Sequence, residues 1–415
     1  MFNQNKLING LIIILIIISL IISIYVLINN SGKGSPSPHG PTPPSPTPPS
    51  PGPGPPSPTG NTYTLVNKST GKQIIPENSK GFWTYDAVNL IDTTTHGLVT
   101  YVGADKSAKN FEGSTDDKLK IKLNNIPGKS INSIRLKTTM TFDSGLFIID
   151  LNQIPYGKYV WPSFWLLGDY EGNAWSYNGE IDIIEGGWQK GGGINAKNQS
   201  TLHTNTKTGS KPCVQTGIVN LKPYEGSDYC SYNPNYTGQD QAKIYGPIPG
   251  PKGCVGSGTK EHPDCCGQNK NQICPFNGCG YVYSSATSYG ISFQNNGGGV
   301  YACELLDDGN LNIWFWSRDN HKIPVNLSDT IDISNWNITA TEKINYKPCP
   351  NTFSKMRMII NTTIGGDAFT GTGNRDSCNP NSICANEVYG LVQQPNYIKE
   401  ATWDINYISV YTKKI

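Results

Sequence analysis

Short runs of alternating apolar and polar residues recur from residue 62 onward, with Gly, Asn and Pro between them. Alternation with a period of two is the pattern of strands that bury one face, and frequent turn residues are typical of sandwiches and barrels. Amphipathic helical stretches are scarce. We therefore predict an all-β domain over residues 62–415. Its predicted strands include Ser133–Met140, Leu146–Leu151, Gly299–Leu305, Leu311–Trp316, Met356–Ile364 and Trp403–Tyr411.

The amino terminus follows a different pattern. Residues Leu11–Ile28 are apolar and uncharged, and their number lies at the lower end of what a membrane-spanning helix needs. The alternative is a cleaved signal peptide, which would usually have a shorter apolar region ending in a small-x-small site. We predict a retained transmembrane signal anchor at 11–28, preceded by a short cytoplasmic tail at 1–10.

Between the anchor and the domain, residues 29–61 consist mostly of Pro, Ser, Thr and Gly. Such a segment buries nothing and favours an extended polyproline II conformation of about 3.1 Å per residue. We predict a semi-rigid linker that holds the domain away from the bilayer. The formal net charge of the whole chain is +2, so nothing indicates a nucleic-acid partner.

One acidic run carries the candidate chemistry. In Glu180–Glu185, with the sequence EIDIIE, carboxylates are interleaved with isoleucines, which predicts a strand with one acidic face. Glu180 and Asp182 share a face, whereas Glu185 points the other way unless a β-bulge absorbs one residue. With the bulge, two glutamates could approach to about 5–5.5 Å, the separation found in retaining glycosidases. The alternative is a solvated acidic strand face.

Tryptophans accompany this run, at Trp165 and Trp175 before it and at Trp188 after it. Carboxylates beside indoles suit a sugar, because acids can cleave an acetal and flat rings stack on pyranose faces. We expect a cleft that binds a polysaccharide. For either upstream tryptophan alone, core packing would be the default interpretation.

Several motifs carry a family resemblance. GEIDIIEG at residues 179–186 resembles the ExDxxE signature of glycoside hydrolase family 16 in its bulged, laminarinase-like branch. WPSFWLLG at 161–168 and TLHT at 201–204 are similar to neighbouring family segments and occur in the family's order. The resemblance is closest to fungal endo-1,3(4)-β-glucanases. It implies a β-jelly-roll sandwich of the concanavalin A-like type.

The resemblance also implies roles for these residues. Glu180 matches the nucleophile, Glu185 matches the general acid/base, and Asp182 matches the residue that positions and tunes the pair. A segment at 364–371, IGGDAFTG, departs from the usual Gly-Asp-Trp and leaves Phe369 as a possible substitute on the acceptor side. The substrate-binding residues that we expect are Trp165, Trp175, Asn178, His203, Trp188 and Phe369.

The implied activity is hydrolysis of β-1,3 or mixed β-1,3/1,4-glucans with retention, by an endo-acting enzyme. Two alternatives stay open. A cell-wall glucan transglycosylase would keep the fold and the nucleophile but pass the sugar to another glycan. A carbohydrate-binding surface protein without turnover would be expected to lack one of the glutamates. No cofactor or catalytic metal is expected, and a structural Ca²⁺ is left open.

All 11 cysteines lie between Cys213 and Cys384, and seven fall in a Gly/Pro/Asn-rich insertion at about 207–280. Disulfides in an oxidising compartment are the expected interpretation, with one cysteine left free or paired between chains. The alternative is a zinc knuckle formed by Cys265, Cys266, Cys274, Cys279 and His262.

Six Asn-x-Ser/Thr sequons support the same compartment. We therefore predict a single-pass type II membrane protein with an extracytoplasmic domain, the alternative being secretion after signal cleavage. The sequons begin at Asn67, Asn198, Asn235, Asn326, Asn337 and Asn361.

Overall fold

The acidic run forms a strand in a large mixed sheet, here called the front sheet. Its strand order is β13-β12-β11-β10-β19-β8-β2, and β14 pairs with β12 on the side. The strands are β2 (Trp83–Tyr85), β8 (Arg135–Thr138), β10 (Val160–Gly168), β11 (Glu180–Glu185), β12 (Gln199–Asn205), β13 (Ser231–Tyr232), β14 (Cys279–Val282) and β19 (Met356–Ile364).

A second sheet, the back sheet, has the order β17-β1-β20-β9-β15-β16-β18, with β5 paired to β20. Its longest strand, β20, is the last strand of the fold and pairs with both β1 and β9. The strands are β1 (Thr62–Thr70), β5 (Leu119–Lys122), β9 (Gly145–Gln153), β15 (Gly299–Leu305), β16 (Leu311–Ser317), β17 (Thr330–Asp332), β18 (Glu342–Tyr346) and β20 (Thr402–Lys413).

Smaller elements complete the fold. A four-stranded sheet has the order β3-β4-β7-β6, formed by β3 (Leu90–Ile91), β4 (Val99–Tyr101), β6 (Asn124–Ile126) and β7 (Ser130–Ser133). The α-helices are α1 (Gly290–Asn295), α2 (Trp336–Thr339), α3 (Ile383–Leu391) and α4 (Pro395–Glu400). The 3₁₀ turns are Gly71–Ile74, Ala286–Ser288 and Asp367–Phe369.

The main core lies between the front and back sheets. Ile181, Ile183 and Ile184 of β11 are fully buried there, together with apolar residues of β9, β15 and β20 from the back sheet. The isoleucines therefore hold β11 to the core through one face, and the acids are displaced to the other. A separate cluster that includes Trp314 and Trp336 covers the outer side of the back sheet.

The predicted all-β sandwich is confirmed, and the six predicted strands are present within a few residues of their expected bounds. The exceptions are helical. Helices α3 and α4 follow one another before the last strand, where the sequence pattern predicts no helix. Val388 and Tyr397 bury against Val160 and Ile364 at the end of the front sheet, so tertiary packing explains both helices.

This computed structural model describes residues 61–77, 80–127, 130–169, 176–186, 196–205, 213, 215, 218, 231–232, 278–320, 322–323, 328–349, 351–369 and 383–413. The predicted tail at 1–10, the signal anchor at 11–28, almost all of the linker at 29–61 and most of the insertion at 207–280 lie outside these ranges. Within the ranges, no helix has the length and apolar character to cross a membrane.

The predicted disulfide chemistry is confirmed for part of the insertion. Cys213 is bonded to Cys349 across 136 residues of sequence, which ties the start of the insertion to the segment after β18. Cys279 and Cys384 are disulfide-bonded too, which removes Cys279 from the alternative zinc site. Among the described cysteines, Cys303 is a buried free thiol.

Candidate active site

The strand register places all three acids on one face of β11. Glu180, Asp182 and Glu185 lie opposite residues 167, 165 and 163 of β10, which are spaced by two and therefore share a face. On the other side they pair with residues 203, 201 and 199 of β12, again spaced by two. The register shifts between Asp182 and Glu185, so the predicted β-bulge is present.

The residue just before β12, Asn198, holds the bulge. The amide of Asn198 accepts a hydrogen bond from the backbone N–H of Glu185 at 3.0 Å and donates one to the carbonyl of Ile183 at 3.0 Å. The hydroxyl of Ser200 donates to the same carbonyl at 2.8 Å. Asn198 and Ser200 therefore satisfy backbone groups that the bulge removes from the ladder.

The sequence interpretation missed Asn198 as a site residue. It begins a sequon, the acceptor sequence for N-glycosylation, yet its side chain is fully buried. Asn361, another sequon residue, is 9% exposed and hydrogen-bonds to Trp165 and Tyr101. Because both amides are buried and hydrogen-bonded within the fold, we expect a glycan on neither asparagine. The bulge itself was the available signal, since a bulge requires partners for its unpaired groups.

Glu180 and Asp182 converge on His203 of the neighbouring strand. His203 Nε2 lies 3.3 Å from Asp182 Oδ2 and 3.9 Å from Glu180 Oε1. Burial raises the pKa of Asp182 from 3.8 to about 8. Burial thus disfavours a second negative charge next to Glu180.

Glu185 occupies a different environment on the same face. Trp161 Nε1 donates a hydrogen bond to its Oε1 at 3.1 Å, and the Thr201 hydroxyl lies 3.5 Å from its Oε2. Glu185 is 6% exposed. A tryptophan indole can only donate, so this contact orients the carboxyl group.

Phe369 lies behind Trp161. It is 3% exposed and forms a buried cluster with Trp161 and Ala368, and its ring meets that of Tyr159 edge to face at 5.5 Å. This placement supports the indole that contacts Glu185 and leaves little of the Phe369 ring accessible. Its expected role as an acceptor-side platform stays a prediction.

Trp165 lies on the acidic face, partly exposed, directly opposite Asp182. Its indole donates to Asn361 Oδ1 at 2.8 Å, and the guanidinium carbon of Arg135 lies 5.2 Å from its ring centroid. Arg135 is in turn paired with Asp86 at 2.9 Å. The indole is thus fixed in orientation, as a stacking platform requires.

The remaining expected residues differ in placement. The side chain of Asn178 is buried and donates to the carbonyl of Asp169, so it closes the connection before β11. Trp175 and Trp188 lie outside the described residues. The structure thus brings together Glu180, Asp182, Glu185, His203 and Trp165, and it adds Trp161 and Asn198 to the site.

In the described ranges, one group of His, Cys, Asp or Glu side chains could share a metal ion. It consists of Glu180, Asp182 and His203, whose ligand atoms lie within 4.8 Å of one another. Ca²⁺ takes six to eight oxygen ligands, so a set containing an imidazole does not suit it. A structural Ca²⁺ elsewhere stays a prediction.

Comparison with known sequences supports a single family. The sequence model of the XgeA-like, catalytic GH16 domain matches residues 83–243 and 252–411. A probable glycosidase of Schizosaccharomyces pombe is 30% identical over 357 residues, covering 84% of this chain and 69% of that protein. A probable endo-1,3(4)-β-glucanase of Neosartorya fischeri is 29% identical over 363 residues, covering 84% of this chain but only 46% of that protein.

Two solved structures share the fold at a TM-score of 0.58. One is GH16 laminarinase 16A from Phanerochaete chrysosporium with β-glucans in donor and acceptor sites, 26% identical, covering 85% of this chain and 100% of that one. The other is an elongating GH family 16 β-1,3-glucosyltransferase, 25% identical, covering 84% and 100%. The jelly-roll form of the sandwich and the glycoside hydrolase class expected from the sequence are both confirmed. This chain belongs to glycoside hydrolase family 16, in which it has an XgeA-like catalytic domain.

Proposed function

We propose that the protein is a retaining endo-β-glucanase that hydrolyses β-1,3 or mixed β-1,3/1,4-glucans. The observation that carries the proposal is the bulged strand with Glu180, Asp182 and Glu185 on one face. The names of its relatives support the substrate class, since one is a probable endo-1,3(4)-β-glucanase and another a laminarinase with bound β-glucans.

In the first step of the proposed mechanism, a carboxylate oxygen of Glu180 attacks the anomeric carbon. The bond from that carbon to the glycosidic oxygen breaks, and Glu185 donates its proton to the leaving oxygen. In the second step Glu185 takes a proton from water, whose oxygen attacks the same carbon and releases Glu180. Two inversions give net retention.

The environments of the two glutamates fit these different roles. Glu180 adjoins Asp182, whose raised pKa of about 8 keeps it neutral and able to donate a hydrogen bond to a carboxylate. Glu185 is held by an indole donor on a separate part of the strand. Trp165 offers a ring beside Asp182 on which a pyranose could stack.

The test measures reducing-sugar release from laminarin, mixed-linkage glucan, carboxymethylcellulose and agarose. Wild type should act on the first two. The activity of Glu185→Gln on them should be about 10²–10⁴-fold lower, and that of Glu180→Gln should fall at least as much. Glu112→Gln is the control, since that side chain is 57% exposed on the surface and its loss should leave activity unchanged. An inactive wild type, or full activity of Glu180→Gln, would refute the proposal.

Azide distinguishes the roles of the two glutamates. With Glu185→Ala, azide should attack the glycosyl-enzyme and yield a β-glycosyl azide. With Glu180→Ala and an activated aryl glycoside, it should replace the nucleophile and yield the α-azide. Anomeric NMR of early wild-type products should show the β-anomer first. An α-anomer first would exclude retention.

A second candidate, glucan transglycosylation, is favoured by one observation. The glucosyltransferase structure matches this chain as well as the laminarinase structure does, at the same TM-score of 0.58. Product analysis with laminari-oligosaccharides and a labelled acceptor separates the two activities. Labelled products longer than the donor, formed faster than reducing ends accumulate, would favour transfer. The third hypothesis, a carbohydrate-binding protein without turnover, predicts that the protein binds laminarin and releases no products.

We also infer that the catalytic domain is extracytoplasmic, as a type II membrane protein or, alternatively, after secretion. The disulfide between Cys213 and Cys349 and the bonded states of Cys279 and Cys384 support an oxidising compartment. Carbonate extraction and protease protection of the full chain in membranes test this. Release by carbonate would contradict the anchor, and protection from external protease in intact cells would contradict the orientation.

A further inference from the structure

The side chain of Asn198 spans the bulge of β11. Between the pairs Asp182–Thr201 and Glu185–Gln199, two residues of β11 face Ser200 alone. The bulge therefore leaves the N–H of Glu185 and the carbonyl of Ile183 without ladder partners. The Asn198 amide satisfies both, each at 3.0 Å, as a peptide group of a regular strand would.

Asn198 is itself fixed by its own backbone. Its N–H donates to the Ser288 hydroxyl at 3.1 Å, and its carbonyl accepts from the N–H of Tyr283 at 3.0 Å. The Ser288 hydroxyl donates onward to the carbonyl of Ser285 at 2.8 Å. The amide is fully buried. It cannot rotate away without leaving the buried N–H of Glu185 without this acceptor, which makes it a rigid support for the bulge.

We propose that Asn198 is a positioning residue that sets the direction of the Glu185 carboxyl group. Without the bulge, a one-residue change of register would turn Glu185 toward the core. Loss of the amide would let the backbone at residues 183–185 relax and would move the carboxyl group away from the glycosidic oxygen. The inference rests on the proposed function, because it assumes that Glu185 is the general acid/base.

The test compares kcat/KM for two substrates in Asn198→Ala. Laminarin needs a proton from Glu185 when its bond breaks, whereas the leaving group of 2,4-dinitrophenyl β-laminaribioside needs none. A positioning defect at Glu185 should lower kcat/KM on laminarin by about 10²-fold and on the aryl glycoside by less than about fivefold. Azide should restore kcat on the aryl glycoside.

Asn110→Ala is the matched control. Asn110 is also fully buried, and its amide donates to the carbonyls of Lys122 and Asn132 at 2.8 and 2.9 Å, in a loop that is not part of the front sheet. It should lose stability as Asn198→Ala does and leave the ratio of the two kcat/KM values unchanged.

A second variant, Asn198→Asp, tests the same role if Asn198→Ala folds poorly. Asn198→Asp keeps an acceptor for the Glu185 N–H and loses the donor to Ile183, whose carbonyl still receives the Ser200 bond. Its loss on laminarin should be selective but smaller, about tenfold. Equal losses on both substrates, or no loss on either, would overturn the positioning role. A wild type inactive on laminarin would instead refute the proposed function.

Discussion

The indole of Trp161 and the carboxylate of Glu185 are joined by a hydrogen bond, with 3.1 Å between Nε1 and Oε1. The two residues lie on adjacent strands and are 7% and 6% exposed. Phe369 and Tyr159 pack behind the indole. Because the contact is buried and the ring cannot tilt freely, Trp161 both aims the carboxyl group and stabilises its charge.

Trp161→Phe keeps most of the packing and removes the donor. A buried hydrogen bond to a charged group contributes about 1.5–3 kcal/mol, so we expect kcat/KM on laminarin to fall about tenfold or more. Initial rates on laminarin over a range of substrate concentrations measure this loss.

Trp314→Phe is the control for this prediction. Its indole is 2% exposed and donates to Asn337 at 3.0 Å, on the outer side of the back sheet. The variant should lower stability and leave kcat/KM on laminarin unchanged. An unchanged kcat/KM in Trp161→Phe would show that the indole serves packing alone.

The catalytic strand could be predicted because its information is local. Glu185 stands five positions after Glu180, and with a period of two only a bulge returns them to one face. The isoleucines between them identify the buried side. Spacing and composition within six residues were therefore sufficient to predict the strand, its bulge and its acidic face without any long-range contact.

The support of the site could not be predicted in the same way. Asn198 and Trp161 act through contacts 13 and 24 residues from Glu185 in sequence, and no local pattern marks either. Phe369 follows Gly366, whose φ of +83° turns the chain so that the ring packs beneath Trp161. An aromatic residue in a turn gives no sign of which side it will bury.

Asp182 should make native stability depend on pH. Burial raises its pKa from 3.8 to about 8, so the native state keeps a proton that the unfolded chain releases. Stability is then highest below the lower value and falls as pH rises through this window, by up to about 1.4 kcal/mol per pH unit for one proton. Above the native pKa the loss is complete. Chemical denaturation between pH 4 and pH 9 measures this change in the free energy of unfolding.

Asp182→Asn is the comparison, because an amide of the same shape does not titrate. The difference in unfolding free energy between wild type and variant should shrink or reverse as pH rises. Glu180, His203 and Tyr346 also interact with Asp182. His203→Gln therefore provides a second background. If the unfolding free energies with and without Asp182→Asn depend on pH in the same way in both backgrounds, the raised pKa of Asp182 is contradicted.

Gly278 should tolerate no side chain because it adjoins His203. Its φ is +62°, and a Cβ there would lie 2.4 Å from the carbonyl oxygen of Leu202 and 2.7 Å from His203 Nδ1. Gly278→Ala should combine backbone strain of about 1–2 kcal/mol with displacement of the imidazole from Asp182. Both the melting temperature and kcat/KM on laminarin should fall.

Gly113→Ala separates strain from displacement. Gly113 has a φ of +92°, but the nearest atom to its Cβ would be the flexible Lys120 Cδ at 3.5 Å. This variant should show the strain alone, with activity unchanged. Equal activity in the two alanine variants would mean that the position of His203 does not affect turnover.

Burial should divide the sequons into occupied and unoccupied asparagines. Asn198 and Asn361 each donate from the amide nitrogen that would carry a glycan, to Ile183 and Tyr101 respectively. Asn337 is exposed on helix α2. After expression in a glycosylating eukaryotic host, the folded, active protein should carry a glycan at Asn337 and none at Asn198 or Asn361.

Peptide mapping after enzymatic deglycosylation in ¹⁸O-water measures occupancy at each site. Glycans are added before the chain has folded, so a molecule modified at Asn198 would carry a sugar on the nitrogen that must be buried beside Ile183 before the bulge could form. Such molecules should be enriched in the misfolded fraction and missing from active material. A glycan on Asn198 in enzyme with full activity would contradict both its burial and its support of Glu185.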